Sequence, residues 1–393
     1  MERLSQSPTD PAFVQNPYPF YERARALGPF FHWSEYGLAC TGNAAAVNAI
    51  FRDRRFGREV PPECAPAIAE HTRAFYAVEA HSMLELEPPR HTRLRGLVLR
   101  AFTSRRIAAL EAEIAALSHA LIDAFPAGEC DLLRAFGQKL PVVIIARLLG
   151  VPEAMSDQLL AWSNAMVGMY MAGRTRGAEE RANRAAQEFY DFLRSYVGAR
   201  RADPRDDLIT HLIAATSEGE RLSTDELITT CILLLNAGHE ATVHSIGNGV
   251  KTLLETRTPP AALAPDAVEA TVEEILRYDP PLHMFTRWAY EDIEVMGHTF
   301  RRGAQVALLL AAANRDPGVW EKPARFDPAR PVRANASFGA GLHFCVGAPL
   351  ARLELQVALP ILFERLPKLR LAQAPLYGNV YHFHGLTALP VSY

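Results

Sequence analysis

Paired cysteines are missing from this chain. Its five, Cys40, Cys64, Cys130, Cys231 and Cys345, are scattered, odd in number and without a C-x-x-C spacing. They build neither a disulfide framework nor a structural zinc site, and they fit a reducing compartment. Long apolar runs are missing as well. The longest surrounds Cys231, is interrupted by Asn236, His239 and Glu240, and is too short to span a bilayer. The N-terminal stretch MERLSQSPTDPAFVQNPYPFYERARAL carries charges and prolines but no apolar core of a signal peptide. A cytoplasmic protein without a membrane anchor is the expectation. Nor is there a charge excess: 41 Lys and Arg face 44 Asp and Glu, a net charge of -3. That balance favours neither nucleic acid nor an anionic membrane as a partner. Internal repeats and low-complexity linkers are absent too.

What is present is an ordinary globular balance over 393 residues, 49% hydrophobic and 22% charged, with ample material for a large core. Two short strands are predicted in GPFFHW and YGLACTG, around a polar turn. The stretch PPECAPAIAEHTRAFYAVEAHSMLEL reads as loop-rich with one short helix. Helical patterns dominate from about Pro89 to Arg277. A second β-rich stretch, EDIEVMGHTFRRGAQVALLLA, has turns near Gly297 and Gly303. The tail GLTALPVSY is strand-like. The fold class is therefore mainly α with a minor β region, a single unit over 1–393. Its small β-rich part is formed by about 28–60 and 283–312.

The longest helix candidate starts at a capping box, Ser223 and Glu226, and runs from Thr224 to about Glu255. At about 1.5 Å per residue it is roughly 48 Å long, enough to cross a domain. Gly238 and Glu240 in its apolar middle are both locally costly in a buried helix. Further on, Pro360 lies inside the helical pattern LQVALPILFERL, where a kink or break is expected.

The stretch SFGAGLHFCVGAPLARLELQ places Cys345 among glycines, just before a helix. Glycines let a backbone turn tightly and approach a flat object closely. The positive end of the following helix dipole favours a thiolate. Such a thiolate suits a soft metal ligand. The alternatives are a nucleophile partnered by His343, which a two-residue spacing on a loop rarely aligns, and a buried cysteine in a turn.

This segment resembles the haem-binding signature of the cytochrome P450 family, F-G-x-G-x-H-x-C-x-G, at all six fixed positions. With glycine near 7% of residues, a chance match is far below about one in a million per start position. The resemblance extends over nearly the whole chain. It implies the family's single-domain haem-thiolate fold, with haem b as cofactor and Cys345 as its axial iron ligand. Phe338, Gly339 and Gly347 then shape the loop. The resemblance also implies haem propionate contacts from His91 and Arg95, an H-x-x-x-R pair on one helix face, from Arg287, and from His343. Glu274 and Arg277 resemble the family's E-x-x-R pair, with Arg325 of PARF as its third partner, a structural trio.

In the long helix, NAGHEATVHS resembles the family's oxygen-activation segment A-G-x-[DE]-T. Ala237, Gly238 and Glu240 match, but Ala241 stands where the family carries threonine. Alanine has no hydroxyl for proton delivery. Thr242 lies about 100° further round and is expected to bond back to a carbonyl of the preceding turn. Asn236, Glu240 and His244 form a polar row able to hold water. Glu240, Ala241 and Thr242 are the candidate catalytic positions.

The resemblance implies a monooxygenase that inserts one oxygen atom of O2 into an apolar small organic substrate. Electrons would come from NAD(P)H through a ferredoxin reductase and a ferredoxin, and the protein would act as a monomer. Arg93, Arg100, Arg105, Arg106 and Arg352 are candidates for a basic face toward that carrier. Two other readings stand beside it: a peroxide-driven peroxygenase and a non-catalytic haem sensor. Substrate-pocket positions by resemblance are Phe75, Met83, Leu84, Leu234, Ala237, Met284, Phe285 and Phe383, with Met166 and Met169 nearby. His283, His382 and His384 are candidates for polar selectivity.

Overall fold

A computed structural model describes residues 1–393 except 172, 173, 217, 218 and 382, so His382 lies outside the described residues. Helices dominate, and one of them organises the rest. It runs from Thr224 to Glu255, and both halves of its capping box are formed: Ser223 Oγ accepts from the Glu226 amide at 3.2 Å, and Glu226 Oε2 accepts from the Ser223 amide at 2.9 Å. Leu227, Ile228, Cys231, Ile232, Leu235, Val243, Ile246, Val250 and Leu253 bury it against helices Lys139–Leu149, Ser156–Val167 and Arg176–Ala202. A helix with apolar residues on most of its faces belongs inside a large core. Close approach to its neighbours is tight. A Cβ at Gly247 would stand 2.7 Å from Leu133 Cδ2, and one at Gly249 3.1 Å from Ile275 Cγ2.

The two predicted early strands are Phe31–Trp33 and Leu38–Thr41, paired antiparallel. They join the late β segment directly: Leu38–Thr41 pairs in parallel with Gln305–Leu309, which pairs antiparallel with Met284–Ala289. Arg3–Leu4 and Phe56–Gly57 complete a six-stranded sheet at its two edges. The turn at Gly297 closes a separate hairpin, Ile293–Val295 with His298–Phe300. The tail strand Pro390–Ser392 sits between Arg370–Leu371 and Glu129–Asp131 in a three-stranded sheet. The 61–86 region holds one short α-helix, Arg73–Glu79, and two 3-10 turns, Pro62–Cys64 and Glu70–Thr72.

No break occurs at Pro360. The helix after the cysteine loop runs unbroken from Ala348 to Arg365 through Pro360. Proline there removes one amide donor. The helix is clamped on both sides of it by Leu355, Ala358, Leu359 and Leu362, all fully buried, and by packing on the Glu111–Asp123 and Val268–Tyr278 helices. Tertiary packing outweighs the lost bond.

Candidate functional site

The glycine loop adopts a left-handed backbone that favours glycine. Gly339 has φ 67° and Gly341 φ 70°. A Cβ on Gly341 would also collide with the Phe51 carbonyl oxygen. The loop closes on itself through the Cys345 amide, which donates to the Phe338 carbonyl at 3.0 Å. Phe338 is held under the Arg352 guanidinium, 4.6 Å from its ring centre.

Cys345 has large exposed area, yet burial raises its thiol pKa. The side chain thus keeps open surface while lying among the interior atoms of the chain. Opposing that rise, the amides of Gly347 and Ala348 at the start of the following helix stabilise the thiolate, as do Arg95 and Arg352. On the long helix, Ala237 shows the same pattern, exposed between the buried Leu235 and His239.

Basic side chains crowd the same region. His91 is buried on the Arg90–Ala101 helix, its ring centre 4.3 Å from that of His343. Burial and then His343 push its pKa down to about 4, and its Nδ1 has no hydrogen-bond partner. Arg95, one turn on, donates to the Phe344 carbonyl at 2.6 Å. Arg287, 3% exposed on strand Met284–Ala289, is pushed down to about 9 by burial and then by the nearby Arg58. Its guanidinium lies 4.9 Å from the Phe51 ring centre. His343 pairs with Glu87 at 2.8 Å. Arg58 donates its amide to the same Glu87 oxygen at 2.7 Å and pairs with Glu85 at 2.7 Å.

Arg58, Glu85 and Glu87 belong to none of the motifs in the sequence. Glu87 stands four residues before His91, a one-turn spacing that was the available signal. Arg58 and His343 pair with Glu85 and Glu87, while among the described residues Arg95 and Arg287 form no ion pair, so this set keeps two guanidiniums without a carboxylate partner. It fits a group bearing two carboxylates beside a soft iron centre, which is the chemistry of haem propionates and a thiolate ligand.

The oxygen-side residues are arranged as follows. Thr242 Oγ1 donates to the Gly238 carbonyl at 3.2 Å, as expected of a threonine turned away from the Ala241 face. Glu240 lies 3.4 Å from His244 Nε2 and 3.3 Å from His239 Nε2. Burial alone would raise its carboxyl, but the two imidazoles outweigh it and hold it well below the usual range. Asn236 leaves the expected polar row: its amide faces the Met166 sulfur at 3.6 Å. Asn236 Oδ1 and His244 Nδ1 are buried without a partner.

Two expected roles are corrected by geometry. Arg325 is exposed and offers only its backbone carbonyl, to Arg277 at 3.2 Å. A tight turn, Arg325 amide to Lys322 carbonyl, aims its side chain outward just before the buried Phe326. Arg330 takes the place instead, its Nε 3.1 Å from Glu274 Oε2. Glu274 and Arg277 themselves are 3% and 1% exposed and joined by two 2.7 Å bonds. The Arg277 guanidinium also donates to the Asn314 and Pro323 carbonyls. Met284 is no pocket residue. It alternates away from Phe285 and Arg287 and packs with Phe13, Phe20 and Trp33.

Of the other pocket candidates, Phe75, Met83 and Leu234 are buried in the main core, and Leu84, Phe285 and Phe383 are half-buried. Phe383 stands 6.1 Å from His244, ring to ring. Met169 is buried. The proposed basic face is largely paired already: Arg93 with Glu220 and Glu226, Arg106 with Asp206, Arg352 with Glu273. Arg100 donates to the Thr216 carbonyl.

Residues 266–367 match the family model "Cytochrome P450". Over 100% of its length the chain is 35% identical to the polyketide biosynthesis cytochrome P450 PksS of Bacillus subtilis (strain 168), 99% of which is covered. This chain belongs to the cytochrome P450 family. It is also 36% identical to the cytochrome P450 monooxygenase PikC of Streptomyces venezuelae, over 96% of this chain and 91% of that one. Among solved structures it resembles P450BioI in complex with an acyl carrier protein ligated to hexadec-9Z-enoic acid. The TM-score is 0.92 at 35% identity, covering 97% of this chain and 99% of that one. Cytochromes P450 bind haem b through a cysteine thiolate, and family membership makes this chain an oxidoreductase of the monooxygenase type.

Proposed function

We propose that the chain inserts one oxygen atom of O2 into an apolar small organic substrate, with Cys345 as the thiolate ligand of haem b. One observation carries the assignment. Cys345 lies in a glycine-shaped loop, under the Gly347 and Ala348 amides, beside two guanidiniums, Arg95 and Arg287, that form no ion pair among the described residues.

His91, Arg95, Arg287 and His343 would hold the propionates. The haem supplies the redox chemistry that activates O2. The chain's own contribution begins with the loop amides, which spread the charge of the Cys345 thiolate. Leu84, Ala237 and Phe285 keep open apolar surface that orients a substrate and keeps water away, with Phe75, Met83 and Leu234 packed in the core behind. Glu240, held ionised between His239 and His244, passes protons toward the Ala241 face through the imidazole of His244 or ordered water. The hydroxyl missing at Ala241 is supplied by substrate or by water.

NAD(P)H electrons arrive through a ferredoxin reductase and a ferredoxin, which meets the protein at Arg100 and Arg105. Among the described residues no helix is long and apolar enough to cross a membrane, and a monomer in the cytoplasm is the working form. The test is the absorbance of the reduced, CO-treated protein. The thiolate-type red-shifted Soret band is expected, and its loss in Cys345→Ser. Wild type without that band refutes the assignment.

Ala241 also favours a second reading, peroxide-driven oxygenation, which needs no separate proton delivery to O2. The Thr224–Glu255 helix contains no arginine to anchor a fatty acid carboxylate, as family members of that kind have. Turnover with hydrogen peroxide above that with a ferredoxin system would favour it.

A further inference from the structure

Away from the cysteine loop, three segments bring Asp279, His283 and His384 together. Asp279 caps the end of the Val268–Tyr278 helix, His283 precedes strand Met284–Ala289, and His384 lies in the C-terminal loop. One ligand atom from each falls within 4.8 Å of the others. All three are buried, at 5%, 0% and 6% exposure.

His283 Nδ1 is taken by the Tyr21 hydroxyl at 2.8 Å. Its Nε2 is buried without any hydrogen-bond partner, although the His384 ring centre lies only 4.4 Å away. A fully buried imidazole nitrogen with no partner is costly. His384 Nε2 stands 3.6 Å from Asp279 Oδ1. That is close to the roughly 3.3 Å edge of a tetrahedron with metal–ligand bonds near 2.0 Å.

We propose that Asp279, His283 and His384 form a binding site for a divalent transition-metal ion, zinc by its donor set, with water in the fourth position. Two imidazoles and one carboxylate are borderline ligands of the kind zinc takes.

Outer groups already orient each ligand. The Tyr21 hydroxyl, 2.8 Å from Nδ1, holds the orientation of the His283 ring. Tyr18 donates to Asp279 Oδ1 at 3.2 Å and Tyr377 to Oδ2. The Tyr377 ring stacks on His384 at 3.8 Å. The backbone is fixed as well. Asn248, from the long helix, donates to the carbonyls of both Asp279 and His384 at 3.2 and 2.9 Å, and the His384 amide donates to Pro281 at 2.7 Å. Such outer partners are what hold a metal ligand in place.

Arg315 opposes the ion. Its guanidinium stacks 3.3 Å from the Tyr18 ring centre, though its donors are engaged by the Tyr278 carbonyl. The ion would tie the C-terminal loop to the end of the Val268–Tyr278 helix.

The test uses haem-loaded, full-length protein dialysed against a micromolar zinc buffer, with zinc and haem iron counted by plasma mass spectrometry. Wild type should hold about one zinc more per chain than His283→Ala or His384→Ala, with haem iron unchanged. Equal zinc in wild type and variants, or none in wild type, overturns the proposal. If neither variant folds, X-ray absorption at the zinc edge of loaded wild type decides. A shell with two imidazoles and a carboxylate supports the site, and a shell of water or thiolate overturns it. Haem iron is counted separately, so a failed haem assignment and a failed zinc site are distinguishable.

Discussion

Replacing Arg330 by alanine should destabilise the protein, and replacing Arg325 should not. The Arg330 side chain is 11% exposed and faces a Glu274 carboxylate that is 2% exposed. Arg330 also donates to the carbonyls of Glu321 at 2.8 Å and Arg325 at 3.2 Å. Arg330→Ala leaves Glu274 with Arg277 and the Asp327 amide, so the carboxylate is not stranded. The loss is then that of a charge-assisted bond, about 1.5–3 kcal/mol, rather than that of an orphaned charge. Arg325→Ala removes an exposed side chain whose carbonyl, the part that Arg277 uses, remains. Its cost should stay within about 0.5 kcal/mol. With 393 residues at roughly 2.1 cal/mol/K each, the unfolding entropy is about 0.8 kcal/mol/K. The shifts in Tm are therefore about 2–4 °C for Arg330→Ala and under about 0.6 °C for Arg325→Ala. Melting followed by far-ultraviolet circular dichroism on haem-loaded protein reads both. Equal shifts, or a larger one for Arg325→Ala, would refute the assignment of Arg330 as the third member of the cluster.

Gly341→Ala should give little haem-loaded protein, because its Cβ meets the Phe51 carbonyl in a left-handed backbone. The ratio of Soret to protein absorbance checks this, and a normal ratio contradicts it. Glu354 is buried, both its oxygens lack partners, and burial pushes its pKa up to about 8. A carboxyl raised in the folded state contributes stability that is full below its unfolded pKa, about 4.3, and is lost as pH rises through about 8. Glu354→Gln should flatten the fall in Tm over that window, an effect on the order of a few kcal/mol; parallel Tm–pH curves for the two proteins would count against it. Ala241→Thr should raise product formed per NAD(P)H consumed with substrates that bear no nearby hydroxyl. Tight coupling of wild type with such substrates would sink the idea that substrate supplies the missing group.

Local features were legible in the amino-acid order. The capping box set the start of the Thr224–Glu255 helix, because a cap is a four-residue event. The glycine loop and its cysteine were readable for the same reason: positive φ at Gly339 and Gly341 is a property of those residues. Thr242 bonding back to Gly238 follows from helical spacing alone. Arg330 rather than Arg325 was not readable. Which of two arginines five residues apart turns inward depends on a turn and on a carboxylate more than fifty residues away in the chain. Met284 and Phe285 are adjacent apolar residues, and only sheet pairing decides which faces Trp33 and which faces Phe51. The meeting of Glu87 with His343, and of Asp279 with His283 and His384, likewise joins segments remote in sequence. Sequence by itself determined the helix caps, the left-handed glycines and the cysteine before its helix, since each is settled by short-range sterics and hydrogen bonding. Tertiary structure alone decided which charges are paired and which imidazoles are left without a partner, because burial and long-range packing set those balances.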